Sequence, residues 1–158
     1  MRFVLVCVAV FTCAVIGGAQ VPQSPAAQAP APPTPLTKVA FFDHDATAAA
    51  LAKGGVLVNA PDMIVQGSHR EAPGQVEVHE KETDVIFIAD GAATFVTGGT
   101  MTGGRVTRPG QWLGADITGG ETRRLTKGDW IVVPAGIPHW FKEVSPQVSY
   151  SVVKVVKP

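Results

Sequence analysis

Glu77 and His79 stand two residues apart in a segment of alternating character, where positions 75–79 read Gln-Val-Glu-Val-His. Because successive side chains of a β-strand point to opposite faces, this segment predicts a strand with Glu77 and His79 on one face. A carboxylate and an imidazole at this spacing can reach one metal ion. If they face the interior, Val76 and Val78 face outward and need a cover, either a predicted helix near residues 46–53 or a second subunit.

A second candidate ligand, His139, ends a segment whose glycines and prolines have a characteristic spacing. Residues 128–139 read Gly-Asp-Trp-Ile-Val-Val-Pro-Ala-Gly-Ile-Pro-His, which predicts a strand followed by a tight turn. Here the chain resembles the cupin family, whose C-terminal motif runs Gly-x5-Pro-x-Gly-x2-His. Every fixed position up to the histidine is matched, by Gly128, Pro134, Gly136 and His139. Cupins often carry Asn four residues further on, where this chain has Glu143.

The N-terminal cupin motif, Gly-x5-His-x-His-x3–4-Glu-x6-Gly, has a more degenerate counterpart in this chain. When its last glycine is aligned with Gly91, Asp84 takes the glutamate position, and His79 and Glu77 take the two histidine positions. The opening glycine is missing. An alternative register makes His79 the first histidine and Lys81 the second, but it leaves the spacing to Gly91 one residue short, so we prefer the first.

The resemblance covers roughly residues 54–155 and implies an all-β, double-stranded β-helix barrel, the cupin or jelly-roll fold, with a metal at its centre. Carried over position by position, it implies four ligands: Glu77, His79, Asp84 and His139. Two imidazoles with one or two carboxylates suit divalent Fe, Mn, Ni or Zn, and the exchange of one histidine for a carboxylate leaves the metal's identity open. The alternative is a degenerate cupin whose pocket is polar and holds no metal.

Short apolar segments separated by Gly, Pro, Asn and Asp predict about nine strands, as expected of a barrel or jelly roll. Their predicted bounds are 55–58, 63–66, 75–79, 85–89, 92–97, 111–117, 121–125, 130–133 and 148–155. Asp90-Gly91 lies between two of these strands and predicts a hairpin with a type I′ turn. One short helix is predicted over residues 46–53, capped by Asp43 or Asp45 and ended by Gly54-Gly55.

The beginning of the chain has the three-part layout of a secretory signal peptide. A positive start is followed by an apolar run over residues 3–16 and by Gly17-Gly18-Ala19, so we predict cleavage after residue 19 and a secreted or periplasmic protein. The run is short for a permanent membrane anchor, which is the alternative. Cys7 and Cys13 both lie in this segment, so the mature chain has no cysteine for a disulfide or a thiolate metal site.

Residues 20–35 are rich in Pro, Ala and Gln, a composition typical of an extended linker, and we predict a single barrel domain over 36–158. The full chain balances 13 basic against 13 acidic residues and contains no basic run. This charge pattern argues against a nucleic-acid partner, and against membrane association once the signal is removed.

The sequence leaves three functions open. The first is a metal-dependent small-molecule enzyme of oxygenase, isomerase or lyase type, in which Glu77 acts as ligand or as base. The second is a non-catalytic module that binds a sugar or an organic acid, for which Arg70 could present a guanidinium. The third is a structural envelope protein with a relic site. The outward valines Val76 and Val78 and the open sheet edges predict a homodimer.

Overall fold

The computed structural model describes residues 32–157. The predicted signal peptide, residues 1–19, and residues 20–31 of the predicted linker lie outside the described residues, so both stay predictions. The elements in chain order are α1 (His44–Lys53), β1 (Gly55–Asn59), β2 (Met63–Arg70), β3 (Val76–His79), β4 (Glu82–Thr97), β5 (Thr100–Thr102), β6 (Arg105–Arg108), β7 (Gln111–Gly114), β8 (Asp116–Thr118), β9 (Glu121–Thr126), β10 (Trp130–Val133) and β11 (His139–Val156).

Antiparallel pairing joins these strands, which confirms the predicted all-β fold. Nine of them form one sheet that runs β1-β2-β11-β3-β7-β6, and β4 joins it by pairing with β11, β9 and β10. β5 and β8 form a separate two-stranded sheet. β4 and β11 pair along almost their whole length, from Glu82 opposite Val156 to Thr97 opposite His139. This long pair places β4 next to the strand that begins with His139.

The hairpin predicted at Asp90-Gly91 is wrong. The two segments that it was expected to join are one strand, β4, and Gly91 lies in the middle of it. Gly91 has φ 75°, and a Cβ there would lie 2.0 Å from the carbonyl oxygen of Gln147 on β11. The Asp-Gly pair therefore allows a close approach and a local irregularity between two long strands, where the pairing of β11 with β4 also shifts register.

Helix α1 begins two residues earlier than predicted and is capped by Asp43, whose Oδ1 accepts a hydrogen bond from Ala46 N at 2.9 Å. The helix packs on β2 at Gly67, where a Cβ would come within 2.5 Å of the Ala50 backbone. No helix among residues 32–157 is long and apolar enough to cross a membrane.

The apolar core is formed mainly by side chains of β4 and β11, with Leu125 of β9 and Val133 of β10. It includes Ile88 and Phe95 from β4 and Val148 from β11, all with 0% exposure, and Phe141 stacks on Tyr150 with ring centroids 4.7 Å apart. Val76, which we expected to face outward, is also fully buried within one chain. That burial removes one of the reasons given for a homodimer, which stays a prediction.

Candidate metal centre

The four residues implied as ligands line one cavity of about 340 Å³ inside the sheet. Glu77 and His79 come from β3, Asp84 from the start of β4, and His139 from the first position of β11. The pairing register sets His139 directly opposite Glu77, which brings together residues more than sixty positions apart. His79, Asp84 and His139 are each at most 6% exposed.

The side-chain donor atoms of these residues lie a few ångströms apart. His79 Nε2 is 3.4 Å from Glu77 Oε2 and 3.5 Å from Asp84 Oδ2, and His139 Nε2 is 3.6 Å from the same Asp84 oxygen. Ligands held 2.0–2.2 Å from one ion at angles near 90–110° lie about 3.0–3.6 Å apart. Glu77, His79 and His139 each offer a donor atom within 4.8 Å of the others, as do His79, Glu82 and Asp84.

Hydrogen bonds fix the orientation of both imidazoles. His79 Nδ1 donates to Gln111 Oε1, and the amide nitrogen of Gln111 in turn donates to Glu82 Oε1 at 2.9 Å. His139 Nδ1 donates to the carbonyl oxygen of Ile137 at 3.1 Å. With Nδ1 of each ring engaged, Nε2 of each ring is directed to the candidate centre, the arrangement that metal-binding histidines show.

His79 Nε2 is the atom that tests whether the residues fit a metal. It is buried and makes no hydrogen bond of normal geometry with any described residue. Such a buried polar atom is costly unless something binds it. Together with Glu77 and His139, it forms a set of two imidazoles and one carboxylate, and this set fits a divalent transition metal. We call Glu77, His79 and His139 the histidine cluster.

A second group of charges lies beside the histidine cluster. Lys154, on β11 directly opposite Asp84, donates to Asp84 Oδ1 at 2.8 Å and to Oδ2 at 3.0 Å. Its ammonium is also 3.2 Å from Glu82 Oε2. We call Lys154, Asp84 and Glu82 the lysine cluster. Asp84 therefore faces the two imidazoles while both of its oxygens accept hydrogen bonds from an internal cation.

The charges of both clusters follow from burial and proximity. Burial alone would lower the pKa of His79, but the carboxylates of Asp84 and Glu77, 3.5 and 3.4 Å from Nε2, favour the charged imidazole, outweigh burial and raise the pKa to about 9. Burial lowers the pKa of His139, and the charge of Asp84 only partly offsets this. Burial would raise the pKa of Glu77, but His79 and His139 outweigh it and lower this pKa. Burial would likewise raise the pKa of Asp84, but His79 and Lys154 outweigh it and lower this pKa.

Residues 69–158 match the family model described as Cupin, which spans more than half of the chain. This chain belongs to the cupin family. The match includes the segment that ends on His139, on which the resemblance was first based, and all residues of the two clusters. No curated protein matches the chain significantly.

Solved structures similar to this cupin include KdgF from Halomonas sp., with 19% identity over 66% of this chain and 79% of that one and a TM-score of 0.47. A cupin protein from Bacteroides fragilis shows 14% identity over 63% and 70% of the two chains, with a TM-score of 0.44. A conserved protein with a double-stranded β-helix domain from Klebsiella pneumoniae shows 15% identity over 64% and 73%, with a TM-score of 0.45. Similarity at this level carries no information on function.

Arg70 is held rigidly at the wall of the cupin cavity. Its Nε donates to the Tyr150 hydroxyl at 3.0 Å, its Nη2 donates to Glu77 Oε1 at 3.3 Å, and its guanidinium carbon lies 5.3 Å from the centre of the Phe141 ring. Burial would lower the pKa of Arg70, but Tyr150 and Glu77 outweigh it and raise it. Nη1 donates no hydrogen bond to any residue between 32 and 157 and remains available to a ligand.

Sequence analysis missed Lys154 and Gln111 as parts of this cupin site. Lys154 interrupts an apolar strand and lies on the same face of β11 as Tyr150 and Val152, because side chains two residues apart share a face. All three line the cavity, so the alternation predicts an inward-facing lysine once that face is known to be the inner one. Gln111 begins β7 and carried no signal, because its role comes from its cross-strand position opposite His79. Lys81, the ligand in the alternative register, is exposed and does not line the cavity.

Proposed function

We propose that this protein is an exported cupin that holds one divalent metal ion through Glu77, His79 and His139 and uses it to bind a small molecule. The observation that carries the proposal is His79 Nε2, which is buried, has no hydrogen-bond partner within residues 32–157 and lies 3.4 Å from Glu77 Oε2. The fixed Nδ1 contacts of both histidines support it, because they hold each ring with its second nitrogen ready to bind.

Three protein ligands leave coordination positions for a further molecule, which is the pattern of catalytic rather than structural metal sites. When bound, the ion would supply a Lewis acid at the inner end of the cavity. The activity that fits is a metal-dependent reaction of the oxygenase, isomerase or lyase type on a molecule small enough for about 340 Å³. The chain's own contribution is to orient that molecule against the cavity wall that carries Arg70, Trp140 and Tyr150.

The experiment is the metal content of the purified chain from residue 20 onward, after reconstitution with Fe, Mn, Ni and Zn in separate samples. We expect about one ion per chain in the wild type, and none in His79→Ala or His139→Ala. Lys81→Ala is the matched control and should bind as the wild type does, since Lys81 lies outside the cavity. A wild type without metal in all four samples, or a His139→Ala variant that binds normally, would contradict the proposal.

Binding of an organic acid without catalysis is the second candidate, and the free Nη1 edge of Arg70 favours it. Arg recognises carboxylates through paired donors, and this one is already oriented by Tyr150 and Glu77. The test compares 4-hydroxybenzoate with 4-hydroxybenzyl alcohol, which differ in the carboxylate, using tryptophan fluorescence because Trp112 and Trp140 line the cavity. Preference for the acid that is lost in Arg70→Met supports this role, and equal binding of the two probes contradicts it.

Export is part of the proposal and rests on the layout of residues 1–19. Intact mass of the protein recovered from a secreting bacterial host should show a chain that begins at or near Gln20. Recovery of a species that retains residues 1–19 would contradict it.

A further inference from the structure

Lys154 brings an ammonium group into the interior of this cupin. Its ammonium is delivered by β11 and lies opposite Asp84 in the strand register, with the lysine 8% and the aspartate 4% exposed. It contacts three carboxylate oxygens, two on Asp84 and one on Glu82, at 2.8, 3.0 and 3.2 Å. The two contacts to Asp84 are charge-assisted hydrogen bonds, which are strong where water is largely excluded, and the contact to Glu82 is an ion pair.

The carboxylate that Lys154 holds is one that a metal ion would otherwise share. Asp84 Oδ2 lies 3.5 Å from His79 Nε2 and 3.6 Å from His139 Nε2, separations typical of ligands around one ion. The same oxygen accepts a hydrogen bond from Lys154, and a divalent cation next to an ammonium would be repelled by it. Glu77 also has a cation beside it, but Arg70 contacts only Oε1 and leaves Oε2 facing His79, whereas Lys154 engages both oxygens of Asp84, so the two carboxylates facing the imidazoles are not equivalent.

We infer that Lys154 keeps Asp84 out of the coordination sphere and thereby sets the number of protein ligands at three. Lys154 is a positioning residue in this assignment: it touches no ligand of the metal and acts by occupying a carboxylate. The inference rests on the proposed function, because it assumes that a metal binds. It explains why the centre would keep coordination positions open to a small molecule although four potential ligands surround it.

The first test compares Asp84→Asn with the matched variant Glu77→Gln, each loaded with Co²⁺ as a spectroscopic probe. In Asp84→Asn the ammonium of Lys154 keeps Glu82 as its partner, so the substitution does not strand a buried charge. We expect the visible absorption of Co²⁺, which reports its coordination, to be the same in Asp84→Asn and the wild type. Binding in Asp84→Asn should stay within about threefold of the wild type, whereas Glu77→Gln should bind at least about tenfold more weakly with an altered spectrum.

The second test releases Asp84 with Lys154→Met, a substitution that keeps the length of the side chain and removes the ammonium. Asp84 should then join the centre, giving a changed Co²⁺ spectrum and binding at least about tenfold tighter than in the wild type. Lys81→Met is the matched control, an exposed lysine outside the cavity, and it should change neither quantity. If Lys154→Met does not fold, the comparison of Asp84→Asn with Glu77→Gln decides by itself.

Two results would overturn the inference: an altered Co²⁺ spectrum in Asp84→Asn, which would make Asp84 a ligand beside Lys154, or an unchanged spectrum and affinity in Lys154→Met. Failure of the proposed function is distinguishable from both. A wild type that takes up no metal while Lys154→Met takes up about one ion per chain removes the proposed function and supports the blocking role of Lys154. Absence of metal in both proteins overturns both.

Discussion

The two charged groups inside the barrel differ in how much of their carboxylate a neighbouring cation occupies. In the lysine cluster, Lys154 donates hydrogen bonds to both oxygens of Asp84 and forms an ion pair with Glu82 at 3.2 Å. In the histidine cluster, Arg70 contacts only Oε1 of Glu77, while Oε2 lies 3.4 Å from His79 Nε2, which lacks a hydrogen-bond partner among the described residues. Each cluster contains buried charge and one buried atom without a hydrogen-bond partner among the described residues, His79 Nε2 in one and Glu82 Oε2 in the other, so these features alone do not mark a candidate metal site. What favours the histidine cluster is an unpartnered imidazole nitrogen that faces a carboxylate oxygen, Glu77 Oε2, on the side that Arg70 does not contact.

The largest expected effect is on the lysine cluster in the absence of metal. Lys154→Met leaves Asp84 and Glu82 buried without their cation, and breaking a buried pair by removing one partner costs about 3–5 kcal/mol. Urea denaturation in the presence of a chelator should show a loss of this size in the free energy of unfolding. Lys81→Met, the exposed control, should lose less than about 0.5 kcal/mol. Equal stability of the two variants would mean that the ion pair contributes nothing to folding.

A somewhat smaller effect is expected from pH, through His79, the member of the histidine cluster that lies 3.5 Å from Asp84 of the lysine cluster. Its pKa is about 9 in the folded protein against an ordinary 6.5, so protonation and folding stabilise each other. This contribution is fully present below about pH 6.5 and is lost as the pH rises through about 9. Its upper bound is about 3 kcal/mol.

The measurement for His79 is the free energy of unfolding of chelator-treated protein at pH 6.5, 8 and 9.5. We expect a decrease along this series in the wild type and a flatter profile in His79→Gln, which cannot take up the proton. A wild-type profile that does not differ from that of His79→Gln would show that Asp84 and Glu77 do not hold a proton on His79.

Metal binding at the histidine cluster should change the free energy of unfolding by as much as the pH effect on His79, or by less. An ion that binds the folded chain at a concentration one hundred times its Kd stabilises it by about 2.7 kcal/mol. Thermal unfolding should therefore shift upward when the preferred metal is added to the wild type. His139→Ala should remain folded and show no shift. A shift of equal size in that variant would place the ion elsewhere on the chain.

The smallest effect is expected outside both clusters, in the predicted linker. Deleting residues 20–31 should leave the melting temperature nearly unchanged, because a Pro- and Ala-rich segment buries little apolar surface. Extending the deletion through Pro35 removes one backbone hydrogen bond, from Thr34 N to Asn59 O at 2.9 Å, and should cost about 0.5–1.5 kcal/mol. Differential scanning calorimetry of the two deletions separates these cases, and a large loss from the shorter deletion would contradict a linker role.

Local sequence patterns predicted most of the fold. They failed where the same pattern is compatible with two different structures. The strand bounds of β1 and β10 came within a residue of those observed, because turn residues mark their ends. Asp90-Gly91 has the same composition as a hairpin turn, yet it lies within β4, because the pairing partner of both flanking segments is β11 and not each other. The predicted strand over residues 111–117 is likewise divided into β7 and β8.

The sequence by itself determined that Glu77, His79 and His139 are chemically able to share an ion, and that parity on β3 sends the first two to one face. The tertiary structure alone decided how Asp84 is used. Spacing in the motif places Asp84 as a ligand, but its environment depends on Lys154, seventy residues away and opposite it across the β4–β11 pair. The register between distant strands is set by the packing of the whole sheet. The residues around Asp84 in the sequence therefore do not reveal that Lys154 is its partner.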